Sequence, residues 1–414
     1  MESRTAILLS ANRHKPAGLV ETVLIGVADS RRTSLFQQSL ARMGQPQARV
    51  ITFTDLLSGK ALIADCIKPP VILRIDSPGK DFETERRLLH LGAETEDDRD
   101  YARFSSEEVN RLEFERGRIL CPRQWYLGFC RALELIRAQL ASSSECSLMN
   151  NLTDTALMFD KPRCQTALNE QGIPTPANLG EINSFAELRE RLRESGCDRV
   201  FIKFAHGSSA SGVVAYQTNG DKHKAATTVE MVARGKDVRL YNSRRIRVCR
   251  EVREIALLVD SLCRHRVYVE AWLPKAGMGD RTFDLRVVVI ARRAMHTVVR
   301  LSRHPMTNLH LLGGRGDLDQ VLERMGERAW RAARSTCEQV MSECFPKSLY
   351  AGIDLRISPD YRRHSVLEVN AFGDLLPDVL CDGLDTYATE LAAVLGGGRV
   401  HVPSSQSSPT ISRI

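Results

Sequence analysis

Short apolar runs alternate with longer amphipathic ones through the first 148 or so residues. ETVLIGVAD at 21–29, ARVITF at 48–53 and PVILRID at 70–76 are rich in β-branched residues and run into polar turns, the pattern of strands. Between them Ser34–Met43, Asp55–Asp65 and Asp81–Leu91 carry apolar positions at helical spacing. Such alternation predicts a parallel sheet covered by helices, because a parallel crossover needs a dozen or more residues. Charged loops and an amphipathic segment at Gly128–Leu140 complete the region. Its segment RIDSPGKD ends a strand in a turn, which is either an ordinary turn or the place where such sheets bind ligands.

The pattern changes after ASSSECS at 141–147, which reads as a linker. Asn150–Glu170 has helical spacing, and GIPTPAN at 172–178 stops it with one glycine and two prolines. From Val200 onward strand-like runs dominate: RVFIKFA, GVVAYQ, DVRLYN, RVYVEAW, FDLRVVVI and HTVVRLS. Helical spacing returns at Leu318–Cys344 and Leu384–Leu395, and the serine- and proline-rich end from about residue 399 to 414 reads as a disordered tail. The fold class is therefore α/β at the N-terminus and α+β in the C-terminal part, with no internal repeat.

At 414 residues the chain exceeds what one core usually serves, so two or three domains are expected. No run of eighteen or more apolar residues occurs, which argues against a membrane span. Eleven scattered cysteines without a CxxC pair suit a reducing compartment as small core residues, so a cytoplasmic protein is expected. The net charge of +7 is spread among 51 acids without a nucleic-acid module, and an anionic substrate explains part of it as readily as RNA or DNA would. The cluster Arg244, Arg245, Arg247, Arg250 and Arg253 is a solvated face or an anion patch.

Chemistry concentrates near the C-terminus. AGIDLRI and SVLEVNA flank a turn-rich segment with Ser358, Pro359 and Asp360, which predicts a hairpin. A register with Ile357 facing Ser365 puts Asp354 opposite Glu368, and Asn370 shares the Glu368 face. Two carboxylates at roughly 4 Å repel by about 4 kcal/mol at an effective dielectric near 20, so they need a counter-charge. Oxygen ligands favour a hard cation, and Mg²⁺ held by one or two carboxylates plus nucleotide phosphates meets the need. The alternative is a solvated hairpin with ordinary surface acids. Upstream, FIKFAHGSSASGVVAY runs Lys203 directly into the small loop Gly207–Gly212. Glycines let N–H groups approach phosphate, the hydroxyls of Ser208 and Ser209 add donors, and lysine adds a point charge, although the GK[ST] ending of a P-loop is missing. A plain hairpin turn remains the competing reading.

The order Asp160-Lys161, Gly172-IPTP, FIKF, the serine–glycine loop, VYVEAWLP, FDLRVVVI, VVR, TNLHLLGG, AGIDL and VLEVN resembles the ATP-grasp superfamily. The likeness is greatest to its carboxylate–amine ligases of the glutathione synthetase, D-alanine–D-alanine ligase and ribosomal-protein glutamate ligase type. It covers about residues 149–398, and residues 1–148 look like the domain that commonly precedes this fold. It implies an ATP-lid lobe at 149–275 and a catalytic lobe at 276–398. Lys161 and Lys203 match the lysines that contact ATP phosphates, and Gly207–Gly212 matches the loop that folds over them. Glu270 matches the acceptor of the adenine amino group, with the backbone around Ala271, Trp272 and Leu273 completing the adenine contacts; wall packing is the alternative for Trp272. Asp354, Glu368 and Asn370 match the Mg²⁺ ligands, with Mn²⁺ left open. Arg286 and Arg300 match arginines that contact ATP phosphates and the acyl phosphate. They come level if FDLRVVVI pairs with HTVVRLS, and a structural ion pair of Arg286 with Asp284 or another nearby acid is the alternative. Asn308, Gly313 and Gly314 match a loop lining the acyl-phosphate site.

Two departures stand out. A basic segment, about Asp221–Arg266, predicts extra structure on the lid lobe, and the nearest carboxylate for a ribose after the hinge is Asp280. His206 lies beside the glycine loop, either assisting or simply satisfied. The resemblance implies a ligase that joins a carboxylate to an amine through an acyl phosphate, with small-molecule, peptide or protein acceptors and oligomeric state left open. A nucleotide-binding module without turnover and a phosphotransferase without ligation are the competing classes.

Overall fold

The computed structural model describes residues 19–396 apart from 67–69, 80, 98, 142–145, 209, 235, 236, 309, 310, 312, 374, 375 and 377. Ser209 and the segment read as a tail lie outside the described residues. A four-stranded parallel sheet opens the fold, with β1 (Glu21–Gly26), β2 (Arg49–Thr52), β3 (Val71–Ile75) and β4 (Cys146–Leu148) in the order β2-β1-β3-β4. Helices α1 (Arg31–Arg42), α2 (Phe53–Leu57), α3 (Phe82–Ala93), α4 (Ser106–Asn110) and α5 (Pro122–Leu140) accompany it. Asp55–Asp65, read as one helix, is the end of α2 followed by a turn, with Gly59 at φ 73° and a 3-10 turn at Ala64–Cys66. β4 falls at the end of the segment read as a linker, since three residues are too few to show alternation. α3 and α5 approach through glycines: a Cβ on Gly128 would stand 1.7 Å from the Leu88 oxygen.

Asn150–Glu170 is two helices, α6 (Leu152–Phe159) and α7 (Lys161–Glu170). Asp160 is extended between them (φ −92°, ψ 90°), and Pro162 cannot supply the N–H that would continue one helix through. An antiparallel sheet follows: β5 (Asn178–Ile182), β6 (Arg199–Phe204), β7 (Val214–Asn219), β8 (Lys222–Arg234), β9 (Asp237–Cys249) and β10 (Val267–Ala271), in the order β5-β10-β6-β7-β8-β9. α8 (Phe185–Ser195) and α9 (Val252–Cys263) cover it. The extra structure expected over 221–266 is the long β8–β9 hairpin and α9. Its strand β9 is tied to the N-terminal region, where the Ile119 N–H donates to the Leu240 oxygen at 2.8 Å and the Asn242 N–H to the Gly117 oxygen at 2.7 Å.

The third sheet is also antiparallel: β11 (Gly277–Met278), β12 (Arg281–Ile290), β13 (Arg293–Ser302), β14 (Gly314–Gly316), β15 (Tyr350–Ile357) and β16 (His364–Asn370), in the order β14-β13-β12-β15-β16 with β11 on β12. α10 (Leu318–Gln339) packs across it, continues as a π-helical turn to Cys344, and α11 (Thr386–Leu395) closes the described chain. Each sheet has its own apolar core. Cys164, Cys263 and Cys337 are buried in these cores without disulfides, the role expected of them. Among the described residues, no helix is long and apolar enough to cross a membrane.

Candidate functional site

A cleft of about 830 Å³, its open mouth included, lies between the second and third sheets. On one wall β6 and β10 pair Lys203 with Tyr268 and Phe201 with Glu270, so Lys203 and Glu270 are diagonal neighbours on one face. Their side chains form an ion pair in which Glu270 is buried and Lys203 half-buried, and the Tyr268 hydroxyl donates to the other Glu270 oxygen at 3.2 Å. Lys161, the first residue of α7, reaches across the cleft to Glu368 Oε1 at 2.7 Å. Burial works to raise the Glu368 carboxyl pKa, but the Lys161 and Lys203 charges outweigh it and hold it below the usual glutamate value.

Gly207, Ser208, Ala210 and Ser211 line the cleft, while Gly212 sits behind it. Gly212 has φ 67°, and a Cβ there would stand 2.0 Å from the Phe204 ring, so the loop's return demands glycine. At the hinge Ala271 and Leu273 line the cleft and Trp272 does not; it packs on Phe201 with ring centroids 5.4 Å apart. The N–H groups of Ala271 and Trp272 donate to the Ala177 and Arg199 oxygens at 2.9 and 3.0 Å. These two donors are committed to neighbouring backbone, and Leu273 is the next residue of this segment that lines the cleft.

The facing wall is a chain of alternating charges. β12 and β13 pair Asp284 with Arg300 and Arg286 with Val298, so the two arginines are offset by two residues instead of level. The cause is the tight Ala291-Arg292 turn, with φ 48° and 63°, together with a bulge after Val288. The anion between the guanidiniums is Asp354: it takes Arg286 through both oxygens and Arg300 Nη2 at 3.0 Å. Arg300 Nε donates to Asp284 at 2.7 Å, and Lys275 Nζ donates to Asp284 at 3.0 Å and to Thr307 at 2.7 Å. Burial opposes ionisation of Asp284, yet Arg300 and Lys275 hold its carboxyl far below the usual range. Burial in turn lowers the Lys275 pKa against the raising effect of Asp284. Asn308 lines the cleft beside Thr307.

Asp354 does face Glu368, although Ile357 pairs with His364 and Arg356 with Ser365; a bulge next to Asp354 absorbs the one-residue difference. Asn370 pairs with Gly352 and donates through Nδ2 to its oxygen at 3.2 Å, which keeps Oδ1 as its acceptor. Among the described residues no three or more His, Cys, Asp or Glu side chains form a cation site on their own. The set is two carboxylates lining the cleft and an amide at the strand end, which fits Mg²⁺ that shares phosphate oxygens. Asp280 is exposed and pairs with Arg303 at 2.8 Å; the carboxylate after the hinge that lines the cleft is Asp284.

Sequence reasoning passed over Lys275, Thr307 and Asn150. Lys275 stands two residues past Leu273, a signal that went unread. Asn150 accepts from the Leu349 and Tyr350 N–H groups and donates to the Tyr350 and Ala371 oxygens, tying the residue before α6 to both sides of the β15–β16 hairpin. Arg32 of α1 donates to the Phe372 oxygen at 2.9 Å, so α1 also holds the turn after Asn370.

No family model matches the chain, and no curated protein matches it. Among solved structures, D-cycloserine synthetase DcsG superposes with a TM-score of 0.51 at 13% identity, over 90% of this chain and 99% of that one. The ATP-grasp ligase PsnB, complexed with minimal precursor, gives 0.49 at 14% identity over 91% and 98% of the two chains. D-alanine–D-alanine ligase from Bacillus anthracis, complexed with ATP, gives 0.47 at 12% over 91% and 96%. The last two scores stay below the level at which superposition alone establishes a common fold. The chain shares its overall fold with D-cycloserine synthetase DcsG over nearly the whole length of both.

Proposed function

We propose that the protein is an ATP- and Mg²⁺-dependent ligase that joins a carboxylate to an amine. The observation that carries this reading is the convergence, in one cleft, of opposed Asp354 and Glu368, Lys161, Lys203, Arg300 and a glycine-bounded loop, with Arg286 outside the lining and paired to Asp354. In this reading Leu273 and Glu270 take the adenine and Asp284 stands where the ribose would follow. Lys161, Lys203 and the loop N–H groups take the phosphates. Mg²⁺ bound by Asp354, Glu368 and Asn370 would neutralise and position those phosphates. The ion pairs Lys161–Glu368, Lys203–Glu270 and Arg286–Asp354–Arg300 keep these charges balanced within the protein itself, so nucleotide and cation exchange one set of partners for another.

The chemistry proceeds in two displacements. A carboxylate oxygen of the substrate attacks the γ-phosphorus of ATP, the bond to the bridging oxygen breaks, and ADP leaves. The amine nitrogen then attacks the acyl carbon, the C–O bond to phosphate breaks, and amide and inorganic phosphate result with loss of one amine proton. In this reading Arg300, which lines the cleft with Asn308, would turn guanidinium donors to the transferring group, and Arg286 would support it through their shared Asp354. The test is a screen of amino acids and short peptides, in pairs, for stimulated ADP release, with mass spectrometry on each hit. ADP release that needs both a carboxylate and an amine supports ligation. Release with the carboxylate alone, and no amide, would make the protein a phosphotransferase, and binding without release in every mixture would make it a nucleotide-binding module.

A further inference from the structure

Asp160 and His206 each lie one residue before an element that faces phosphate in the proposed reaction: Lys161 and the glycine loop. Both are buried, at 1% and 4% exposure, and neither lines the cleft. Asp160 caps α7, its Oδ1 accepting from the Arg163 N–H at 3.2 Å. Its Oδ2 lies 3.2 Å from His206 Nε2 and accepts from Arg266 Nη1 at 3.3 Å. The backbone makes the same link, because the Lys161 N–H donates to the Ala205 oxygen at 3.0 Å. Burial pushes the His206 pKa down to about 4, so the ring is neutral, and its Nε2 stands between Asp160 Oδ2 and Arg266 Nη1, the latter 3.4 Å away. His206 Nδ1 has no hydrogen-bond partner. What holds the other side of the ring is Tyr126, stacked on it with centroids 4.0 Å and planes 16° apart. Tyr126 belongs to α5, and its hydroxyl donates to the Ala156 oxygen at 3.2 Å.

We infer that His206 is a positioning residue of the phosphate site. With Asp160 it fixes the root of the glycine loop against Lys161, and its stacking on Tyr126 makes that spacing depend on how α5 of the N-terminal domain is seated. The inference rests on the ATP reading above and adds a route by which the N-terminal domain sets nucleotide affinity. A buried ring held at Nε2 by Asp160 and Arg266 and on one face by Tyr126 has few alternative partners, so losing the ring or its stacking lets the loop root shift. The adenine end lies at the hinge, away from this contact, which makes the expected effect selective for phosphate.

Affinities of Mg²⁺–ADP and of adenosine, measured by calorimetry on the full chain alongside melting temperatures, test this. His206→Ala is expected to weaken ADP tenfold or more and adenosine less than threefold. His206→Gln keeps an N–H donor within reach of Asp160 and should recover most of the ADP loss. Tyr126→Leu should weaken ADP severalfold with adenosine again nearly unchanged. A folded His206→Ala with wild-type ADP affinity overturns the inference, as do equal losses for ADP and adenosine. Should His206→Ala not fold, Tyr126→Leu decides by the same two criteria. Failure of the wild type to prefer ADP over adenosine would instead overturn the ATP reading.

Discussion

Replacing Asp354 with asparagine strikes the charge chain at its centre. As a solvent-facing metal ligand, which is how the sequence presents it, its neutralisation would spare the fold. Its partners change that expectation: Asp354 is buried and is the shared counter-ion of Arg286 and Arg300. Removing one partner of a buried ion pair costs about 3–5 kcal/mol, because the other charge is left uncompensated. Asp284 still neutralises Arg300, so the lower end applies, about 3 kcal/mol on that scale. For a unit of 150–250 residues, each kcal/mol moves Tm by about 2–4 °C, which gives a fall of about 6–12 °C. The assay is thermal unfolding of ligand-free protein at neutral pH, with turnover measured on the same preparation. Turnover should fall below detection, and Mg²⁺-free ADP should bind more tightly than to wild type because Arg286 has lost its carboxylate and Arg300 one of its two. A ligand-free variant that melts with the wild type refutes the counter-ion argument, and wild-type turnover refutes the metal assignment.

Lys203→Ala is expected to weaken ATP about tenfold or more, the scale of a lost charge-assisted hydrogen bond, and adenosine much less; equal loss would mean the ammonium does not meet phosphate. Gly212→Ala combines a left-handed φ, which costs about 1–2 kcal/mol for other residues, with an overlap at 2.0 Å on Phe204. It should therefore raise the Kd for ATP and lower the melting temperature together, and an unchanged Kd would show that the loop tolerates the shift. His206 faces Asp160, Arg266, Arg123 and the Tyr126 ring, and its pKa is lowered from 6.5 to about 4 by burial first of all. The unfolded chain takes up this proton as pH falls below 6.5 while the folded protein does not. Stability is therefore full above pH 6.5 and is lost toward pH 4, by up to about 3 kcal/mol. Urea titrations should show a slope in this window that is shallower by about one proton in His206→Gln; identical slopes would contradict the neutral buried ring.

What was legible depended on how local the determinant is. The opposed Asp354 and Glu368 could be read because the hairpin that joins them is short and its two strands alternate plainly. The bulge beside Asp354 has no sequence mark, and the inferred partner of Ile357 was off by one for that reason. The offset of Arg286 from Arg300 was hidden similarly, since Ala291-Arg292 lacks the glycine or asparagine that usually announces a turn with positive φ. Arg74 shows the opposite limit. Inside PVILRID it looks like an outward-facing strand residue. In the fold it is fully buried among the rings of Phe36, Tyr350 and Tyr387 and paired with Glu390, partners far along the chain. Only tertiary packing defines such a site, and the same holds for the Asn150 clamp and the His206–Tyr126 stack.

The most direct test of ligation through an acyl phosphate follows one oxygen atom. A carboxylate substrate found in the ADP-release screen is labelled with ¹⁸O in both carboxyl oxygens and converted with its amine partner in unlabelled water. Mass spectrometry then reads the released phosphate. An acyl phosphate requires one carboxylate oxygen to leave with phosphorus, so each amide formed should yield one phosphate carrying a single ¹⁸O, with the other retained in the amide carbonyl. Unlabelled phosphate released in step with the amide would contradict the account.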